Sequence, residues 1–209
     1  MEKVVVIGCG GHAKVVIDVL LSARQYNLIG FLVPYESYKH TITVSKCIGT
    51  YDGLAGCAKN GINGFIVAIG DNALRQEIYS KAIKDGLTPI NAISPFSYVS
   101  KEAQIGKGNL IVHGSIINPN AVIEDNCIIN TKASIDHDCY IASHSHICPG
   151  ATLAGAVIVQ EGVLLGTGSS VLPGIFIGKW ATCGAGSVVT KNVEPYATVV
   201  GVPSKKAEK

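Results

Sequence analysis

Residues 129–141 read Ile129-Asn130-Thr131-Lys132-Ala133-Ser134-Ile135-Asp136-His137-Asp138-Cys139-Tyr140-Ile141, and the isoleucines at 129, 135 and 141 stand six apart. Outward from here the spacing holds in both directions, back to Ile111, Ile105 and Val99 and on to Ile177, Cys183 and Val189. Sixteen consecutive positions carry it, and fifteen of them are Ile, Leu or Val. A helix repeats near 3.6 residues and a strand near 2, so a period of six over about ninety residues is neither. It is the pattern of a β-solenoid of short strands, in which three hexads make one triangular coil of eighteen residues. Four places after each aliphatic the residue is usually small, as at Ser115, Ala121, Cys127, Ala133, Cys139 and Ser145. A corner stacked on identical corners has room for little else. A β-sandwich would instead need irregular turns every 8–12 residues or so.

The 209 residues suffice for two modest domains, with 47% apolar and 15% charged residues as in a compact globular protein. Net charge is +2, and no Lys/Arg run precedes Lys205-Lys206, so neither nucleic acid nor an anionic membrane is an expected partner. No signal h-region and no apolar run of spanning length is present, which points to a cytoplasmic protein. Seven cysteines without CxxC pairing read as reduced thiols, with Cys127, Cys139 and Cys183 filling repeat positions as small core residues.

Ahead of the repeats, β and α patterns alternate. Val4-Val5-Val6-Ile7 is a continuous apolar run, expected as a strand covered on both faces. Gly8-Cys9-Gly10-Gly11-His12-Ala13 follows, then an amphipathic helix over about 14–22. Strand, glycine turn and helix offer backbone amides to an anion. The second strand, 28–33, runs into Pro34 without an acidic residue, which disfavours a nicotinamide dinucleotide and leaves a nucleotide or sugar nucleotide. A short helix over 52–59, a strand over 64–70, a helix from Asp71 or Asn72 to Lys84 and a strand over 87–93 complete the region. Residues 1–95 are thus expected as a small Rossmann-like parallel α/β domain, and 96–209 as an all-β solenoid with a short tail.

Departures from the repeat mark candidate chemistry. His137 is followed directly by Asp138. A histidine that donates one ring N–H to a carboxylate presents its other nitrogen as a general base. Gly155 lies eighteen residues after His137, so its backbone is expected in the adjacent coil, with an amide N–H open to a substrate carbonyl. Base plus amide donor suits acyl transfer. His113 and His144 read as corner residues. His137, His144 and His146 could alternatively gather a metal, but they occupy different hexad positions.

The hexad register resembles that of the hexapeptide-repeat, left-handed parallel β-helix family. Beyond it, Val6 to Lys14, Ala68 to Asn72 with Arg75, Ile128 to Thr131, Ile135 to Asp138, Ser145-His146, Gly150-Ala151 and Val200 to Lys205 carry a more specific likeness. Almost end to end, the chain resembles bacterial sugar N- and O-acyltransferases with a small N-terminal α/β domain, most of all those acetylating nucleotide-linked 4-amino sugars for surface glycans. The resemblance implies acetyl-CoA as co-substrate and a homotrimer with active sites between subunits. It makes His137 the base and Asp138 its partner. His146, Gly155, Thr167 and Ala185 would contact the donor. Gly10, Gly11, His12, Asn72 and Asn130 would contact the nucleotide sugar. Members that bind uridine nucleotides often carry an acidic pair where this chain has Val33 and Pro34, and Glu36 is a candidate substitute. Two alternatives remain open at this point: O-acetylation of a sugar of the sialic acid type, and a metal hydratase like the γ-class carbonic anhydrases. A non-catalytic sugar-nucleotide-binding subunit would lack acetyl-CoA binding.

Overall fold

The structure is a computed structural model that describes residues 1–36 and 38–207. It divides into two compact units, Met1–Pro95 and a second beginning at Phe96.

In the first unit β1 (Lys3–Ile7), α1 (Gly11–Ala23), β2 (Asn27–Val33), β3 (Cys47–Thr50), α2 (Leu54–Lys59), β4 (Gly64–Val67), α3 (Asn72–Lys84) and β5 (Thr88–Pro89) follow in order. The five strands form one parallel sheet in the order β3-β2-β1-β4-β5. Val4 to Ile7 are fully buried, as a central strand covered on both faces requires. Helix α1 starts earlier than its apolar pattern suggests. Gly10 is the N-cap and Gly11 and His12 form the first turn, so the glycine loop is itself the helix start. Asp71 caps α3 by accepting the Leu74 N–H at 2.8 Å. Strand β3 was not foreseen, because its four residues carry no alternation. The expected strand over 87–93 is broken into Thr88–Pro89 and Ala92–Ile93, since Pro89 has no N–H for a continuing ladder.

The second unit is the coil that the period of six predicts, a left-handed β-helix. Two-residue strands stack in parallel on three faces. One face runs from Tyr98–Val99 to Val188–Val189, the second from Gln104–Ile105 to Phe176–Ile177, and the third from Leu110–Ile111 through Thr182–Cys183 to Thr198–Val200. Register is eighteen through the coil, as in Ile117 against Ile135 and Ile135 against Leu153, and drops to sixteen at the last step, Thr182 against Thr198. From Ile111 to Val189 the aliphatic column is sealed, whereas Val99 and Ile105, at the open end of the prism, stay half-exposed. The small column is sealed too. Most of its hydroxyls and thiols find carbonyls, Ser145 Oγ on Gln160 O at 3.0 Å and Cys139 Sγ on Ala154 O at 3.2 Å, while Ser169 Oγ has no hydrogen-bond partner among the described residues. All seven cysteines are free thiols.

The corners have a rule of their own. Every sixth residue from Gly108 to Gly186 sits in the left-handed region. Glycine, Asn120, Asn126 and Asp138 suit that backbone, and Lys132, His144, Ala156 and Trp180 adopt it against their preference. Corner carbonyls then accept from the next coil, as Pro119 O does from Asp138 N at 3.2 Å and His137 O from Ala156 N at 2.9 Å.

Candidate active site

Residues 119, 137, 155 and 173 stack on one corner of the prism, one per coil. At Asp138 the left-handed backbone (φ 59°) turns the side chain back beside its neighbour, and Asp138 Oδ2 lies 2.7 Å from His137 Nδ1. An ionised carboxylate only accepts, so Nδ1 carries the hydrogen and Nε2 keeps its lone pair. The adjacency of the two residues in sequence is thus a real contact. Both side chains are more than half exposed, at 59% and 52%.

Gly155 completes the corner. A Cβ on it would lie 2.5 Å from His137 Cε1 and 2.6 Å from Nε2, so the imidazole keeps this place only while residue 155 is glycine. The Gly155 carbonyl accepts from Gly174 N at 3.0 Å, while among the described residues its N–H has no hydrogen-bond acceptor. Nearby charge tunes the ring. The hydrogen bond to Asp138, and then the charge of Asp136, raise His137 above the ordinary histidine value. Asp138 is held below the usual carboxylate range by the hydrogen bonds from His137 and then Asn120.

His146 is not at this corner. It points outward from the third face, is 8% exposed, and its Nε2 lies 3.1 Å from Asn130 Nδ2. Asn130 also accepts the Thr131 N–H at 2.8 Å, so these two candidates form one buried pair. Thr167 and Ala185 are exposed and stack on a different corner, with Gly186 N on Thr167 O at 2.8 Å. One face of the prism, roughly 15 Å at about 3.3 Å per residue, separates that corner from the one bearing His137. His113 makes an edge contact with Phe96, and His144 Nδ1 lies 2.8 Å from Asn126 Nδ2 on the third corner. Among the described residues no group of three His, Cys, Asp or Glu side chains converges as a metal site would.

A cavity of about 470 Å³ lies in the first unit at the carboxyl ends of β1 and β4, where the strand order reverses. Gly8 to His12 and Ala68 to Gly70 line it, together with Pro34, Tyr38, Tyr51 and Leu74. Gly8 (φ +137°) is obligatory, because a Cβ would meet Ala68 O at 2.6 Å; above Gly10 and Gly11 the space is open. Burial, and then the Arg75 charge, lower His12 to about 4, so it offers a neutral ring. Burial pushes the Tyr51 hydroxyl up to about 12. Asn72 is not among the lining residues. It is buried at the start of α3, with Oδ1 accepting from Arg75 Nη2 at 2.8 Å. Glu36 is exposed and outside the lining. Tyr38 and Tyr51 went unnoticed in the sequence, since Tyr51 reaches the cavity only through β3.

Comparison with known proteins agrees with both units. Residues 3–82 match the PglD N-terminal domain family, and residues 120–155 match the bacterial transferase hexapeptide family (six repeats). The chain is 36% identical to PerB from Caulobacter crescentus, solved with CoA and GDP-perosamine (TM-score 0.93, 100% of this chain and 98% of that one). It is 32% identical to the acetyltransferase domain of PglB from Neisseria gonorrhoeae FA1090 (TM-score 0.94, 99% and 100%). A GDP-perosamine N-acetyltransferase of Escherichia coli O157:H7 is 31% identical over 111 residues, 53% of this chain and 50% of that protein. The chain spans from about a quarter to a half of the length of the curated relatives it matches.

Proposed function

The chain belongs to the hexapeptide-repeat sugar acetyltransferases with a PglD-type N-terminal domain, and from that premise we propose that it transfers acetyl from acetyl-CoA to the amino group of a nucleotide-linked amino sugar. The observation that carries the reading is the imidazole seated on Gly155, its Nδ1 held by Asp138 and its Nε2 free of that bond. The acceptor nitrogen attacks the thioester carbonyl and gives its proton to Nε2. The C–N bond forms, the C–S bond breaks, and the thiolate leaves and recovers a proton. The Gly155 N–H is available to the oxygen that gains charge during the attack. No acyl-enzyme is required, since holding two substrates together supplies much of the rate.

The nucleotide fits the cavity of the first unit, its diphosphate against the amides at the start of α1 and its base against Pro34, Tyr38 and Tyr51. Acetyl transfer against a panel of nucleotide amino sugars, with free CoA as readout, tests the activity. Matched hydroxyl sugars in competition separate N- from O-acetylation. Release of CoA with none of the amino sugars, or a preference for the hydroxyl forms, would overturn the proposal.

Thr167 and Ala185 lie on one corner and His137 on another, an arrangement that favours a donor held in the groove between two copies of the chain, in a homotrimer. Co-expressing a His137→Ala chain with an Ala185→Trp chain is then expected to restore activity that neither variant has alone. Random mixing of three subunits regenerates about one intact site in four. No recovery in mixed trimers, verified as mixed by mass, would place both sets in one chain.

A further inference from the structure

We propose that Asn120 is a positioning residue for the reaction, fixing the Asp138 carboxylate so that its other oxygen stays on His137. The inference rests on reading His137 as the base. Asn120 lies one coil before Asp138, and its Nδ2 donates to Asp138 Oδ1 at 3.1 Å while Asp138 Oδ2 serves His137 Nδ1 at 2.7 Å. The two carboxylate oxygens are thus divided between an amide and an imidazole. Both residues occupy left-handed rungs, at φ 61° and 59°, which places their side chains in line along the corner.

A carboxylate that is half exposed has rotamers open to it, and one hydrogen bond from a histidine does not fix both its torsions. A second donor does. Holding the coils together does not explain the contact, because the backbone already joins them there through Asp138 N and Pro119 O. The same device recurs on the other side of the histidine. Asn118 Nδ2 donates to Asp136 Oδ1 at 3.1 Å, and that oxygen also accepts the His137 backbone N–H at 2.8 Å. Each acid flanking His137 is therefore held by an asparagine eighteen residues earlier, one fixing the main chain and the other the ring. Among the described residues the charged groups acting on the imidazole are Asp136 and Asp138, and the adjacent coils bring neutral residues to the corner, among them Asn118, Asn120 and Gly155.

Two substitutions test this, because each tolerates the left-handed backbone. Asn120→Gly removes the amide, and kcat is expected to fall about tenfold, as for loss of one charge-assisted hydrogen bond, with KM for both substrates little changed. Asn120→Asp sets a like charge against Asp138. The added negative charge favours protonated His137, so the acid limb of kcat/KM is expected to move up by about half a pH unit or more. A role confined to stability would lower the melting temperature and leave the pH profile in place. Superimposable profiles for Asn120→Asp and wild type, or wild-type turnover in Asn120→Gly, would overturn the positioning role. His137→Ala, run alongside, separates the two readings. If it is inactive while the Asn120 variants are normal, only the positioning role fails; if it turns over normally, both fail.

Discussion

Replacing His137 by alanine is expected to lower kcat by roughly 10²–10⁴, the range for loss of a positioned general base. The ring is more than half exposed and packs in no core, so the variant should fold and melt as the parent does. Its effect is then chemical. In the parent, the acid limb of the rate profile should lie above the ordinary histidine range, because Asp138 and then Asp136 stabilise the imidazolium. The sign follows directly: only the neutral ring accepts a proton, so a raised value shifts loss of activity to higher pH. Asp138→Asn is the informative companion. Asparagine tolerates the left-handed backbone at 138, so the variant removes charge without straining the corner. Its acid limb should move down toward that of a free histidine, with a reduced plateau. Turnover of His137→Ala near the parent's would remove this residue from the mechanism.

Gly155→Ala is expected to cost on the order of 10² in kcat, the scale of a displacement of about 1 Å at a reacting group. The added methyl would lie 2.5 Å from His137 Cε1, inside any real contact, and the exposed ring can only swing away from the corner. Backbone strain is not the cause, since Gly155 is not among the positive-φ glycines. The melting temperature should change by no more than about 2 °C, because an exposed ring gives way at little cost in stability. Because the methyl acts through the imidazole, the double variant with His137→Ala should be no slower than His137→Ala alone. Additive losses would show that Gly155 matters for another reason, and normal kcat in Gly155→Ala would dissociate it from the base.

Much of the site was legible because a solenoid converts sequence separation into spatial adjacency. His137 and Gly155 are eighteen apart, and one backbone repeat places them on one corner. The same spacing of eighteen separates Asn120 and Asp138, but nothing in the sequence says which corner side chains lean together. The left-handed rungs decide that, and their occupants range from glycine to Trp180. Asn72 read as a substrate contact, and its bond to buried Arg75 could not be foreseen, because the pairing depends on how α3 starts. His146 and Asn130 read as contacts to different substrates and form one pair, because residues sixteen apart meet across neighbouring strands.

From sequence alone came the period, and with it the coil, the register and the sealed aliphatic and small columns. Each is a property of one backbone unit repeated, and the spacing of apolar residues reports it directly. The alternating first domain and its glycine turn came the same way. Tertiary structure alone decided the side-chain directions at the corners, the division of Asp138 between Asn120 and His137, and the tyrosines that line the cavity of the first unit. These rest on torsions and on contacts between separated segments such as β3, which the spacing of residues along a chain does not encode.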